Sequence, residues 1–127
     1  MHGYDVYEIN EIKKAVALAT AGLFAPEETL RDVRLCLWEL LANALVHQKV
    51  RREAVHLSWE IDATSYTFII LDKGCSLAPE AFTAPSTSCV CESILEENGR
   101  GLYLVQALAD EICYNSLTGE LRGIIRW

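Results

Sequence analysis

Glu39 and Asn43 are the only polar side chains in Leu35–Val46, a twelve-residue run that is otherwise apolar. Their i, i+4 spacing puts them one helical turn apart on a single face, and His47 extends the row by another turn. A helix apolar on nearly all sides is expected to be buried, and a buried carboxylate beside a buried amide is costly unless each has a partner. The row is therefore expected to line a cavity where something polar binds. Facing such a cavity, Glu39 is a general base, able to take a proton from a hydroxyl or a water. Asn43 offers a neutral hard oxygen suited to Mg²⁺, a cation that keeps waters and takes other ligands from phosphates. His47 can hydrogen-bond a phosphate. Each also has a plainer reading: a surface glutamate, an amide tied to a backbone group, and a histidine whose cation suits the helix end.

Two further stretches complete the set. Asp72 ends the apolar run Phe68-Ile-Ile-Leu71 and is followed by Gly74. A carboxylate there can accept a hydrogen bond from an adenine amino group, and the missing Cβ of Gly74 lets a flat base approach the backbone. Asp and Gly are also common turn residues, so a plain strand-ending turn explains them as well. Gly99-Arg100-Gly101 precedes the apolar run that starts at Leu102 and places free amides at a helix N-terminus, a ready phosphate site. Alone, a Gly-x-Gly is weak. The ordered set, with each part in a suitable element, points to a nucleotide site.

The elements that must position these residues follow from periodicity. Tyr4–Glu8 is either a short first strand or the lead into a helix, and the stretch before Ile9 is short for a full strand. Ile9–Leu23 reads as a helix, with Ile9, Ile12, Val16, Ala19 and Leu23 near helical period. Phe24-Ala-Pro26 breaks it, and Pro26-Glu27-Glu28 suits the first turn of a second helix running to about Gln48. In that helix Leu30, Val33, Leu37, Leu40, Leu41 and Ala44 form a core stripe, while Leu35, Trp38, Ala42 and Leu45 cover a second side. Ala54–Ile61 and Tyr66–Leu71 read as strands joined by a turn at Asp62-Ala-Thr-Ser65, the second of them central. From Cys75 to Asn98 the pattern is weak, with a helical turn near Glu92–Glu97, and so long an irregular stretch is expected to serve as a lid or binding loop. Leu102–Asp110 reads as a short helix, and Glu111–Ser116 with Glu120–Trp127 as a hairpin about Leu117-Thr-Gly119. The order indicates an α+β fold, a mainly antiparallel sheet with helices on one face.

Composition narrows the function. A length of 127 residues implies a single domain, and a net charge of −7 disfavours nucleic acid, whose phosphates need a basic face. Neither an apolar leader nor a run of membrane-spanning length is present, so a soluble cytoplasmic protein is expected. The five cysteines (Cys36, Cys75, Cys89, Cys91, Cys113) form an odd set, three of them in apolar or strand-like surroundings as reduced thiols are. Cys89-Val-Cys91 lacks a second Cys/His pair at zinc spacing.

Glu39-Leu-Leu-Ala-Asn43-Ala-Leu-Val-His47, Leu71-Asp-Lys-Gly74, Gly99-Arg-Gly-Leu-Tyr-Leu-Val105 and Asp110-Glu-Ile-Cys-Tyr114 together resemble the GHKL ATPase superfamily. Within it the chain is most similar to bacterial anti-sigma factor serine/threonine kinases, from roughly Ile9 to Trp127. The resemblance implies a two-layer sandwich of helices on a mixed, mainly antiparallel sheet, the Bergerat ATP-binding fold, with an ATP lid at about 75–98. On matching positions it implies Glu39 as catalytic base and Asn43 as Mg²⁺ ligand. It further implies Asp72 on adenine with Gly74 beneath it, and Gly99, Arg100, Gly101 and Leu102 on the phosphates. His47 and Ser76 join the ATP-contacting set, Ser76 standing where many relatives carry a second glycine. The implied partners are a STAS-type anti-sigma antagonist, which is the phosphoryl acceptor, and a sigma factor. A homodimer is allowed, with no direct nucleic acid or membrane contact.

Three other functions are weighed. A regulatory module with this fold could bind ATP and grip a protein partner without phosphorylating it. The catalytic domain of a histidine kinase would need an upstream helical hairpin for which this length leaves no room. A hydrolase built on cysteine and histidine has nothing to orient a thiolate.

Overall fold

The computed structural model describes residues 1–46, 54–72, 101–115 and 118–127. In chain order these form β1 (His2–Val6), a 3₁₀ turn (Ile9–Glu11), α1 (Ile12–Thr20), α2 (Glu27–Val46), β2 (Val55–Ile61) and β3 (Ser65–Leu71). Then come α3 (Gly101–Leu108), β4 (Glu111–Asn115) and β5 (Glu120–Arg126). The five strands make one sheet in the order β1-β2-β3-β5-β4, and all four pairings are antiparallel. No parallel pair occurs among the described strands, although the expected sheet was mixed.

Period-two alternation assigns each strand one face to the core. Val55, Leu57 and Trp59 of β2, Tyr66, Phe68 and Ile70 of β3, Leu121 and Ile125 of β5 and Tyr114 of β4 are all buried. They join Ile12, Val16 and Ala19 of α1 and Val33, Leu37, Leu40, Leu41 and Ala44 of α2 in a single core. β3 is the middle strand, as its apolar run requires. On its other face Ile69 and Leu71 are only half-buried, so the sheet is covered by helices on one side.

Two glycines carry specific geometry. Gly119 turns the β4–β5 hairpin with φ of 76°, where side chains with a Cβ are strained, and its N–H donates to the Asn115 carbonyl at 2.8 Å. Gly123 pairs with Phe68, and a Cβ at 123 would stand 2.2 Å from Phe68 Cζ. The ring therefore lies across the β5 backbone where a side chain would otherwise be.

The first helix is shorter than its periodicity suggests. Ile9 belongs to the 3₁₀ turn and is 53 % exposed, because Glu11 folds back to accept the N–H groups of Tyr7 and Glu8 and starts the α-helix only after it. β1 begins at His2, so the N-terminal stretch does supply a five-residue strand. Strand β1 is tied to β2 by the Asp5 carboxylate and the His56 ring, which face each other across the pair. In α2 the core stripe holds, but Leu35 and Trp38 are exposed, with Trp38 42 % accessible. Ala42 and Leu45 on that second side are partly buried against the core, so it is only the Leu35–Trp38 part that the described residues leave uncovered. Residues 47 and 48, the expected end of the helix, lie outside them.

Candidate functional site

Glu39 and Asn43 take the positions on α2 that their spacing implies, one turn apart on one face. Glu39 is half-buried, whereas Asn43 is buried with 8 % of its surface exposed. The Nδ2 of Asn43 is sealed from solvent and has no hydrogen-bond partner among the described residues. Leaving a buried amide unpaired costs on the order of 1–3 kcal/mol, so natural cores avoid it. An orphaned amide beside a half-buried carboxylate fits a site completed by a polar ligand.

Asp72 arrives at the same end of the molecule by a different route. It continues the alternation of Tyr66, Phe68 and Ile70, so it falls on the helix-facing side of the sheet just past the end of β3. There it is buried, with 6 % exposed. Its backbone is fixed by a 3.0 Å hydrogen bond from its N–H to the carbonyl of Gly119, in the β4–β5 turn. A small concavity opens beside it. Leu40 and Ala44 of α2 form one wall, Ile70 and Asp72 the second, and Tyr114, Gly119 and Leu121 the third.

The structure thus brings Asp72 together with α2, but through Leu40 and Ala44 rather than through Glu39 and Asn43. The latter two stand one residue earlier in each turn and so point about 100° away round the helix. The apolar concavity and the polar row are neighbours on α2, not a single surface. Sequence reasoning gave Leu40 and Ala44 to the core and did not single out Tyr114, Gly119 or Leu121 for the site. The alternation of Glu111–Asn115, which turns Tyr114 inward, was the available signal.

His47, Gly74, Ser76, Gly99 and Arg100 lie outside the described residues, as does the expected lid at 75–98. Gly101 opens α3, as its place in the sequence implies. Of Leu102 the structure shows that its backbone lies in the first turn of that helix.

Two of the cysteines, Cys36 and Cys113, fall among the described residues, and both are free thiols. Cys36 is fully buried, and its thiol is pushed up to about 12, first by burial and then by the charges of Asp32 and Glu39. Such a thiol stays protonated and is a poor nucleophile. Cys113 lies on β4 but is exposed, contrary to the expectation that strand cysteines are buried. Cys75, Cys89 and Cys91 are outside the described residues. Among those described, no group of three or more His, Cys, Asp or Glu side chains could hold a metal. A cation here would rest on Asn43 and on oxygens that the ligand brings, the pattern usual for Mg²⁺ with phosphates. No helix among the described residues is long and apolar enough to cross a membrane.

A comparison with curated proteins finds no match. Against models of protein families, residues 5–126 match the histidine kinase-like ATPase domain. That span takes in α2 with Glu39 and Asn43, the end of β3 with Asp72, and the closing hairpin that holds Asp72 in place. The five-stranded antiparallel sheet with helices on one face agrees with the match, and the chain belongs to the histidine kinase-like ATPase domain family.

Proposed function

We propose that this domain binds Mg²⁺–ATP and transfers the γ-phosphoryl group to a serine or threonine of a STAS-type anti-sigma antagonist, and that it also binds a sigma factor. The observation that carries the reading is the buried amide of Asn43, unpartnered among the described residues, one turn from Glu39 on the helix that walls the Asp72 concavity. Family membership supports ATP as the nucleotide.

Each residue then has one task. Asp72 accepts a hydrogen bond from the amino group of the base, and the apolar walls given by Leu40, Ala44, Ile70 and Leu121 hold the ring and keep water off that bond. Asn43 supplies an amide oxygen toward the metal and an N–H toward the phosphates. Bound Mg²⁺ supplies charge neutralisation on the phosphates. The half-buried carboxylate of Glu39 takes the proton of the attacking hydroxyl. The backbone amides at the start of α3 face the negative charge of the phosphates.

The test is thermal melting with ATP or ADP, with and without Mg²⁺, followed by phosphoryl transfer to an antagonist. A ligand that binds only the folded chain raises the melting temperature. A magnesium-dependent rise, lost in Asp72→Ala, together with labelled antagonist, is the expected result. A rise without labelling of any bound partner would favour the non-catalytic ATP-binding regulator. No rise under any condition would end the nucleotide reading.

A further inference from the structure

α2 packs against α1, α3, β2 and β3, and the stripe left over faces away from the core. That stripe carries Leu35, 36 % exposed, and Trp38, 42 % exposed. Arg31, also exposed, stands on the same line one turn before Leu35. With residues wound at about 100° each, exposed Arg34 falls about 40° beyond Trp38 on one side, and Glu39 about 40° beyond Leu35 on the other. Arg34 donates from Nε to the Thr20 hydroxyl at 3.4 Å, which uses one of the five N–H groups of its guanidinium. Across its width the stripe therefore runs from cation to apolar ridge to carboxylate.

The apolar ridge and the row that holds Glu39 adjoin. Glu39 is half-buried, and a hydroxyl that gives up its proton there must come within about 3 Å. A hydroxyl on a folded protein gets that close only when the surface around it lies against the neighbouring stripe, over Leu35 and Trp38. Exposed Trp beside Arg is also the composition of interface hot spots. In a chain of net charge −7, a local pair of cations selects a partner with carboxylates at that place and fixes its register.

Resting on the phosphoryl-transfer reading above, we infer that Leu35, Trp38, Arg31 and Arg34 form the docking surface for the protein that accepts the phosphoryl group. The acceptor lays an apolar side chain on the Leu35–Trp38 ridge and sets carboxylates against the two arginines. Those contacts decide which way round it sits and turn its hydroxyl toward the Glu39 flank. There the hydroxyl oxygen bonds the γ-phosphorus, the bridge to ADP breaks, and the proton passes to Glu39. The stripe supplies binding and orientation, and the chemistry stays with Glu39.

The test follows transfer from labelled ATP to a purified STAS-type antagonist at varied antagonist concentration, with Trp38→Ser and Arg31→Glu beside the parent. Trp38→Ser is expected to raise KM for the antagonist about tenfold or more, with kcat and the ATP-dependent rise in melting temperature unchanged. Arg31→Glu should raise KM several-fold at low salt, a difference that vanishes by about 1 M salt. An unchanged KM in either variant at low salt overturns the docking surface and leaves phosphoryl transfer standing. A parent that sediments as a dimer, with Trp38→Ser a monomer, also overturns it, because the stripe then belongs to a second copy. Failure of the parent to label any antagonist overturns both readings.

Discussion

Tyr66 and Asp72 lie on the same face of one strand, at its two ends, and their polar groups are handled in opposite ways. At the first end the Tyr66 hydroxyl is buried and donates to the carbonyl of Ala19 at 2.8 Å. That carbonyl belongs to the last turn of α1, where no helical N–H is left to meet it. Thr20 closes the same turn by donating its hydroxyl to the Val16 carbonyl at 2.9 Å. Phe68 follows, flattened over Gly123, so the packing there is closed and its polar atoms are matched. At the other end a buried carboxylate borders an open concavity, and the amide of Asn43 has no partner among the described residues. One end of β3 uses its polar groups to fasten a helix to the sheet, and near the other a buried amide has no partner among the described residues. An unmet amide beside an otherwise matched core is what sets the site apart from the fold.

The largest effect expected from breaking this contrast is on chemistry. Glu39→Gln should lower phosphoryl transfer by a factor of about 10²–10⁴ while nucleotide binding and melting temperature stay near those of the parent. Transfer at the parent rate, followed with labelled ATP, would remove Glu39 from its role. At the closed end, Gly123→Ala should cost about 1–3 kcal/mol in urea unfolding, because the new Cβ must displace the Phe68 ring. An unchanged midpoint would mean that the ring is not confined there.

Alkaline pH sharpens the same comparison. Burial raises the Cys36 thiol from 9.0 to about 12 and raises the Tyr66 phenol above its usual value as well. Both groups bind their proton more tightly when folded. Their contribution to stability is complete below the unfolded values, near 9 for the thiol and 10 for the phenol, and is lost as pH climbs toward the folded ones. Between pH 9 and 12 the thiol alone should lower stability with a slope approaching about 1.4 kcal/mol per pH unit. Cys36→Ala should remove that slope in denaturation series at stepped pH, and a slope unchanged by the substitution would contradict the burial.

The smallest effects are the most diagnostic. Tyr66→Phe should destabilise by about 1–2 kcal/mol, since the Ala19 carbonyl is left buried and unpaired. Asn43→Leu should do the opposite without ligand, being neutral or stabilising by up to about 1 kcal/mol while nucleotide-dependent stabilisation is lost. If both substitutions destabilise alike, the two ends of β3 do not differ in kind.

The polar row on α2 was legible because two polar residues in an apolar helix violate the local pattern, and such violations mark sites. Strands β2 and β3, the closing hairpin and the core face of α2 were legible for the converse reason, since their alternation is regular. Ile9 was misplaced because a hydrophobic residue at helical spacing is silent about whether the preceding turn is α or 3₁₀. Leu35 and Trp38 were misplaced because apolar character on a helix does not say which partner covers it. Tyr114 went unnoticed as part of the site because its neighbours on the pocket wall come from α2, β3 and β5, and no local pattern in Glu111–Asn115 reports which strand will lie beside it.

The sheet order has a consequence for how the chain is made. Strand β3, with the apolar run Phe68-Ile-Ile-Leu71, finds one neighbour in β2 soon after synthesis. Its other neighbour is β5, which emerges more than forty residues later. Until then the most apolar strand of the sheet is an open edge, able to pair with another nascent chain. Chains stopped before Glu120 should therefore yield aggregates rather than partly folded monomers, most of all when expressed at high rate.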